Sequence, residues 1–278
     1  MTRGTKIKHI HWFSGAVLIL FTLLALIPFL WVICSSLKGT GEIFTGRNFF
    51  PQDPKFSNYP QAWESARLGL RFFNSIIVTL GATVLSLAIT TLAGYSFAKL
   101  WLAKYPFVFY CYLFGMSVPM QAIVLSIFLQ LRNWNLQNTR LGLIIAIVGT
   151  GIPFATFLMR NFFKDLPDSF GECAQLDGSN AFQTFWYIYL PLAKPGMLAL
   201  AIFTLIGAWN EFDLSLVVLT DDKLWTITLG VTQFRTVTNN NYGLVFSSAV
   251  ISFLPTVLLY CLFQRSFIEG ITVGGEKG

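Results

Sequence analysis

The sequence predicts an all-α membrane protein with six transmembrane helices and a helix–turn–helix on the cytoplasmic side between the fourth and fifth. Three observations carry this. Charged residues make up only 12% of the chain, against about a quarter in a soluble domain. Hydrophobic residues make up 54%. Six apolar stretches reach the roughly 20 residues that a helix needs to cross about 30 Å of hydrocarbon. Backbone groups in lipid must pair within their own segment, so these stretches are expected to be helices. The whole chain, 1–278, reads as one transmembrane domain.

The first span is placed at Ser14–Leu37. Its apolar run is too long for a cleavable leader and no clean small-residue cleavage site follows it, so it reads as a retained helix. Arg3, Lys6 and Lys8 precede it. They favour a cytoplasmic N-terminus, and six crossings return the C-terminus to the same side. Over the full chain the bias is slight, with ten basic residues on the inner segments and nine on the outer. His9 and His11 read as part of the solvated flank. The net charge of +6 is spread along loops, which gives no nucleic-acid surface.

Lys38–Arg71 is the longest outer segment. Asn58 is expected to cap a short helix there, Tyr59 to about Arg67, with Gln61 reaching back to it. The second span, Phe72–Ala98, carries Ser75, Thr79, Thr83, Ser86 and Thr90 at steps of four, four, three and four. They share one helical face. Close helix packing by small residues and the lining of a polar path both fit that face.

The third span, Pro106–Leu131, contains Pro119 and, near its middle, Gln121. A mid-membrane amide is expected to face protein or water. The fourth span is Leu141–Met159. The fifth, Gly196–Leu219, carries Trp209, Asn210 and Glu211, and Thr204, Gly207, Glu211 and Ser215 share a face. Glu211 falls about 15 residues past Gly196, roughly 22 Å along a helix, in the outer half of the bilayer. A carboxylate there costs less than at the centre, and both path lining and interhelical hydrogen bonding suit it. The sixth span is Leu244–Phe267. Pro28, Pro119, Pro153 and Pro255 fall inside spans, where proline kinks a helix. The four cysteines, Cys34, Cys111, Cys173 and Cys261, have neither disulfide nor metal spacing and read as small apolar filler.

Residues 160–195 are too polar and too ordered in pattern to be a slack loop. Ser169 and Glu172 have capping-box spacing for a helix from about Phe170 to Asp177. Gly178 is expected to stop it in a left-handed conformation. Ser179 or Asn180 starts a second helix. That helix carries Phe182, Phe185, Trp186 and Tyr189 as one apolar stripe. Pro191 and Pro195 end it. The pattern suits both a docking surface for a soluble partner and an interfacial helix pair with no partner.

The residues Glu172, Cys173, Ala174, Asp177, Gly178 and Ser179, followed by Leu190-Pro191-Leu192 and Pro195, resemble the EAA loop of ABC-importer permeases. Cys173 and Ser179 stand where that family often has alanine, and both are small. Further matches resemble the carbohydrate branch, of the maltose-permease G type. They are Asn58-Tyr59, Phe73-Asn74-Ser75, Ala93-Gly94-Tyr95-Ser96-Phe97-Ala98-Lys99, Trp209-Asn210-Glu211-Phe212 and Gly270-Ile271-Thr272-Val273-Gly274-Gly275.

The resemblance implies a bacterial inner-membrane subunit of a sugar importer. It would pair with a second homologous permease, two cytoplasmic ATPase subunits and an extracytoplasmic sugar-binding protein. The first short helix would couple to an ATPase, with Glu172 facing a basic residue there. The outer loop Leu219–Tyr242 would meet the binding protein, and the tail Gly270–Gly278 would reach the ATPase interface. Trp209, Asn210, Glu211 and Gln121 are the candidates for the sugar path, because aromatic faces stack on sugars and amides or carboxylates bind hydroxyls.

The chain has no Gly-rich phosphate loop ending in Lys and Ser or Thr, so ATP and magnesium are expected on partner subunits. No nucleophile motif or metal cluster stands out, and no catalytic residue is expected. A stand-alone secondary carrier would want ionisable groups near the midplane, which the spans lack. The alternative cargo is another polar solute, a polyol or a glycerol phosphate; a phosphorylated cargo would want fixed basic groups in the path, which favours a neutral sugar.

Overall fold

In hydrocarbon an apolar run has no water to satisfy its amides, and helix is the local solution. The computed structural model describes residues 3–46, 48–234 and 241–272. It is built from helices and turns, with no strand among the described residues. Among the described residues, four single helices are long and apolar enough to span a membrane. Two bent pairs pass the same test, which makes six when each pair is taken as one span. The chain divides into two compact units, 1–68 with 231–253, and 69–230 with 254–278.

In the first unit, α1 (Arg3–Ser36) runs on through Pro28. None of its most apolar 18-residue window is buried, as befits a helix facing lipid. After α2 (Thr40–Thr45) the chain reaches α3 (Asn58–Ser65). Here the expected cap is corrected. Asn58 is the first residue inside the helix and is buried. Its Nδ2 donates to the carbonyls of Ser36 and Lys38 at 2.8 and 3.1 Å. Those carbonyls lie at and just beyond the end of α1, so the amide satisfies acceptors that a helix terminus leaves open. Ser247 Oγ donates to the same Ser36 carbonyl at 2.9 Å.

In the second unit, α4 (Leu68–Lys99) buries all five residues of the predicted small polar face. Thr83 and Thr90 Oγ1 donate to the carbonyls one turn back, at 2.8 and 2.7 Å. Ser75 Oγ instead accepts from the Ile227 amide at 2.8 Å. The helix approaches α7 (Arg140–Asp165) closely enough that a Cβ on Gly94 would lie 2.7 Å from Met159 Cβ. Glycine is what permits that approach.

The predicted third span is not one helix. Between α4 and α7, α5 (Pro106–Leu113) ends in a tight turn to Ser117, and α6 (Met120–Asn133) leaves at 97°. Val118 precedes a proline and is extended, with ψ of 119°. Proline disfavours the helical conformation in the residue before it, so the break falls where the sequence puts Pro119. The fourth span, by contrast, runs past Met159 to Asp165. Arg160 is absorbed there because its Nε donates to the Phe97 carbonyl at 3.2 Å and its guanidinium sits 4.0 Å from the Phe109 ring centroid.

Next come α8 (Ser169–Leu176), α9 (Ala181–Thr184), a wide π-turn at Phe185–Tyr189, and α10 (Leu190–Leu192). Then α11 (Lys194–Trp209) departs at 73°. The predicted fifth span is therefore shorter at its C-terminal end, and α12 (Asp213–Val218) is a separate turn and a half. The carbonyls freed by that break are taken up locally. Thr228 Oγ1 donates to Trp209 and Glu211 carbonyls at 3.4 and 3.2 Å, and Ser215 Oγ to Glu211 at 3.2 Å. After α13 (Ile227–Gly230), α14 (Tyr242–Thr272) continues through Pro255. The tail from residue 273 lies outside the described residues.

Candidate coupling surface and cavity

The segment between α7 and α11 is a built hairpin. The expected capping box at Ser169 and Glu172 is absent. Ser169 already lies inside α8, and Asp168 at the cap makes no side-chain cap bond. The Gly171 and Glu172 amides bond the Asp168 carbonyl at 2.9 and 3.1 Å instead. The far end is as predicted. Gly178 has φ of 83°, and the Ser179 and Gly178 amides bond the Ala174 and Gln175 carbonyls at 2.9 and 3.0 Å. This is the glycine-terminated helix end in which the left-handed residue lets two amides turn back.

A reciprocal capping box does form, but one helix later. Asn180 Oδ1 accepts from the Gln183 amide, and Gln183 Oε1 from the Asn180 amide, both at 2.9 Å. Of the two predicted starts, Asn180 is the one used. The π-turn then splits the expected apolar stripe. Phe185 and Tyr189 point inward and are buried, whereas Phe182 and Trp186 are exposed and stack on each other at 6.2 Å. A π-turn rotates successive residues less than an α-turn, so i+3 and i+4 partners part company.

The buried pair rests on Tyr95 of α4, with ring centroids at 5.0 and 5.3 Å. Phe163 of α7 closes this aromatic socket, 5.6 Å from Tyr95. Lys99, one turn beyond Tyr95, donates to the Leu166 carbonyl at 2.6 Å and pairs with the Asp168 carboxylate. Of the six residues singled out on this hairpin, Ala174 is buried and Ser179 is half-buried. Glu172, Cys173, Asp177 and Gly178 are exposed. Lys99 and Tyr95 were not singled out individually as site residues. Their spacing of four on a helix was the available signal.

The second feature is a cavity of about 850 Å³. Its wall takes Ser86 from α4, Met116, Val118 and Met120 from the break, Gln130 from α6, Thr150 from α7, and Thr204 and Gly207 from α11. Glu211 also lines it. Apart from these few polar groups the wall is largely aliphatic. Glu211 Oε1 accepts from the Leu214 amide at 2.8 Å, so the same carboxylate holds the first turn of α12.

The other predicted path residues stand elsewhere. Trp209 is buried edge-on against Phe72 at 5.2 Å. Asn210 is exposed, and its Nδ2 donates to the Ile206 carbonyl at 2.8 Å and to Thr256 Oγ1 at 3.4 Å. Gln121 is exposed on α6 outside the cavity wall. Of the shared face on the predicted fifth span, Thr204, Gly207 and Glu211 reach the cavity and Ser215 does not.

Residues 103–271 match the family described as the binding-protein-dependent transport system inner membrane component. The chain belongs to this family. The permease is thus a multi-pass inner-membrane component of such a transport system. It is 36% identical over 263 residues to the diacetylchitobiose uptake system permease protein NgcG of Streptomyces coelicolor, covering 94% of this chain and 87% of that protein. It is 30% identical over 263 residues to the arabinooligosaccharides transport system permease protein AraQ of Bacillus subtilis, covering 93% of each. A chain in the crystal structure of a bacterial ABC transporter involved in the import of the acidic polysaccharide alginate superposes with a TM-score of 0.79. That chain is 25% identical, and the match covers 96% of the permease and 99% of it.

The family match takes in the whole hairpin and most of the cavity wall. In the permease, Gln130 and Thr150 are polar wall groups that sequence reasoning passed over. Thr150 stands in a mostly apolar stretch and Gln130 close to the polar end of α6, and the bend between α5 and α6 helps bring the two around one space.

Proposed function

We propose that this permease forms, with a second homologous permease, the path of an ATP-driven importer for a sugar or oligosaccharide. The cargo would come from an external binding protein, and two separate ATPase subunits would supply the work. The observation that carries the reading is the hairpin. It presents Glu172, Cys173, Asp177 and Gly178 outward on a short helix ended by a left-handed glycine turn, beside a buried aromatic socket. A slack loop would not hold such a helix at a fixed angle. The cargo class follows from the full-length relatives, whose names give oligosaccharide uptake.

In this reading α8 seats in a cleft of a cytoplasmic ATPase, and Glu172 meets a basic residue there. Such an ion pair sets register more than affinity. Glu211 and the polar groups of the cavity wall face the cargo path. The termini are then cytoplasmic and α13 lies at the outer face.

The test is purification of the tagged chain from its host in mild detergent, with mass identification of what comes with it. An ATPase and a second permease are expected. Recovery of the chain alone, even after crosslinking in membranes, overturns the reading. Glu172→Ala should lower sugar uptake with the chain still in the membrane, and normal uptake would remove Glu172 from coupling.

A further inference from the structure

Lys99 is the last residue of α4, and its side chain is only 6% exposed. A lysine seldom gives up water to that degree unless its charge is partnered. Its ammonium has three donors. One goes to the Leu166 carbonyl at 2.6 Å, where α7 ends. One goes to the carboxylate of Asp168, the residue that caps α8. The ammonium also sits 5.6 Å from the centroid of the Tyr189 ring, in the returning arm of the hairpin. A single charge thus touches the exit of α7, the entry of α8 and the π-turn.

Tyr95 lies four residues earlier on the same face of α4, and its hydroxyl donates to the Ala181 carbonyl at 3.4 Å. The hairpin is therefore held to α4 at two successive turns, once by aromatic packing and once by the buried lysine. The same helix carries Ser86 in the cavity wall.

We propose that Lys99 is a positioning residue that locks the hairpin to α4, so that the two move as one body and a push on α8 reaches the cavity wall through α4. This rests on the reading of α8 as an ATPase-docking helix. The Leu166 bond is the buried part of the lock. Asp168 is 79% exposed, and solvent weakens its ion pair.

The test uses the complete transporter with its ATPases, spin-labelled through ketone-bearing residues at Leu92 of α4 and Gln175 of α8. The distance is measured without nucleotide and with ATP and magnesium. In the native complex it should change by less than about 2 Å, the scale of small helix shifts. In Lys99→Met, which keeps side-chain bulk, it should broaden and shift by more than that with ATP. In Asp168→Asn it should stay native, because the carbonyl bond remains. ATP hydrolysis per cargo molecule should rise in Lys99→Met alone, whereas a general folding defect lowers hydrolysis and transport together. A Lys99→Met complex with native distances in both states overturns the lock and leaves docking intact. So does a native complex whose distance shifts widely with ATP, whether or not the variant assembles. Failure of the native chain to bind any ATPase overturns docking and the lock together.

Discussion

Arg140 Nε donates to Asn74 Oδ1 across 3.1 Å, while Asn74 Nδ2 donates to the carbonyls of Lys223 and Trp225 at 2.8 and 3.0 Å. One buried amide therefore staples the start of α7 and the segment before α13 to α4. Close by, Arg71 is fully buried, donates to the Gly230 carbonyl at 2.9 Å and lies 5.1 Å from the Trp225 ring centroid.

Asn74→Ala removes the donor and leaves two carbonyls to find other partners. The expected loss is about 1–3 kcal/mol, the cost of unsatisfied buried polar groups. It should appear as a lower unfolding temperature in detergent and faster amide exchange across residues 223–230. Native values of both would show that the staple is redundant.

Glu211 both accepts from the Leu214 amide and lines the cavity, and two substitutions separate these features. Glu211→Gln keeps an oxygen for the Leu214 amide and removes the charge from the cavity. Thermal stability should be close to native, and a fall in uptake would then report the charge. Glu211→Ala removes both, and should also lower stability by about 1 kcal/mol through loss of the bond that starts α12. Equal uptake in the native protein and the glutamine variant would take the carboxylate out of the path.

Gly178 sits at φ of 83° with open space around the position of a Cβ. The penalty for a side chain is therefore in the backbone. Gly178→Ala should cost about 1 kcal/mol and Gly178→Val more, since branched residues resist positive φ most. Co-purification with the ATPase should fall in that order. Native recovery with valine would show that the angle of α8 does not depend on this turn.

Phe185 and Trp186 are neighbours with opposite environments, 3% and 52% exposed. Phe185→Ala opens the aromatic socket and should cost about 3–5 kcal/mol. Trp186→Ala should stay within about 0.5 kcal/mol, as for surface substitutions. Unfolding midpoints of the two variants check this, and equal losses would mean that the stripe packs as one face after all.

Much of the fold was legible because its signals are local. The apolar run lengths marked the spans, a period of 3.6 marked the face of α4 from Ser75 to Thr90, and Gly178 marked the end of α8. The break near Pro119 was visible as a proline, but a proline inside a run does not say whether the helix kinks or stops. Pro28 and Pro255 sit within continuous helices, whereas Val118 and Pro119 end one and start another. The site was less legible. Three of the four predicted path residues were neighbours in sequence, yet Trp209, Asn210 and Glu211 diverge once α11 ends between them, and Gln121 lies outside the cavity wall.

By itself the sequence determined which segments are apolar enough to leave water, where glycine must turn the chain, and which residues share a helical face. Hydrophobicity, backbone sterics and helical period act within one segment, so one segment suffices to read them. Tertiary structure decided the partners. Asn58 became a clamp on the end of α1 because the Ser36 and Lys38 carbonyls came within reach. Tyr189 parted from Trp186 because Tyr95 offered a place to pack. Lys99 lost its water because Leu166 and Asp168, almost seventy residues further on, arrived to replace it. Such outcomes depend on which buried groups meet, and no local pattern records that.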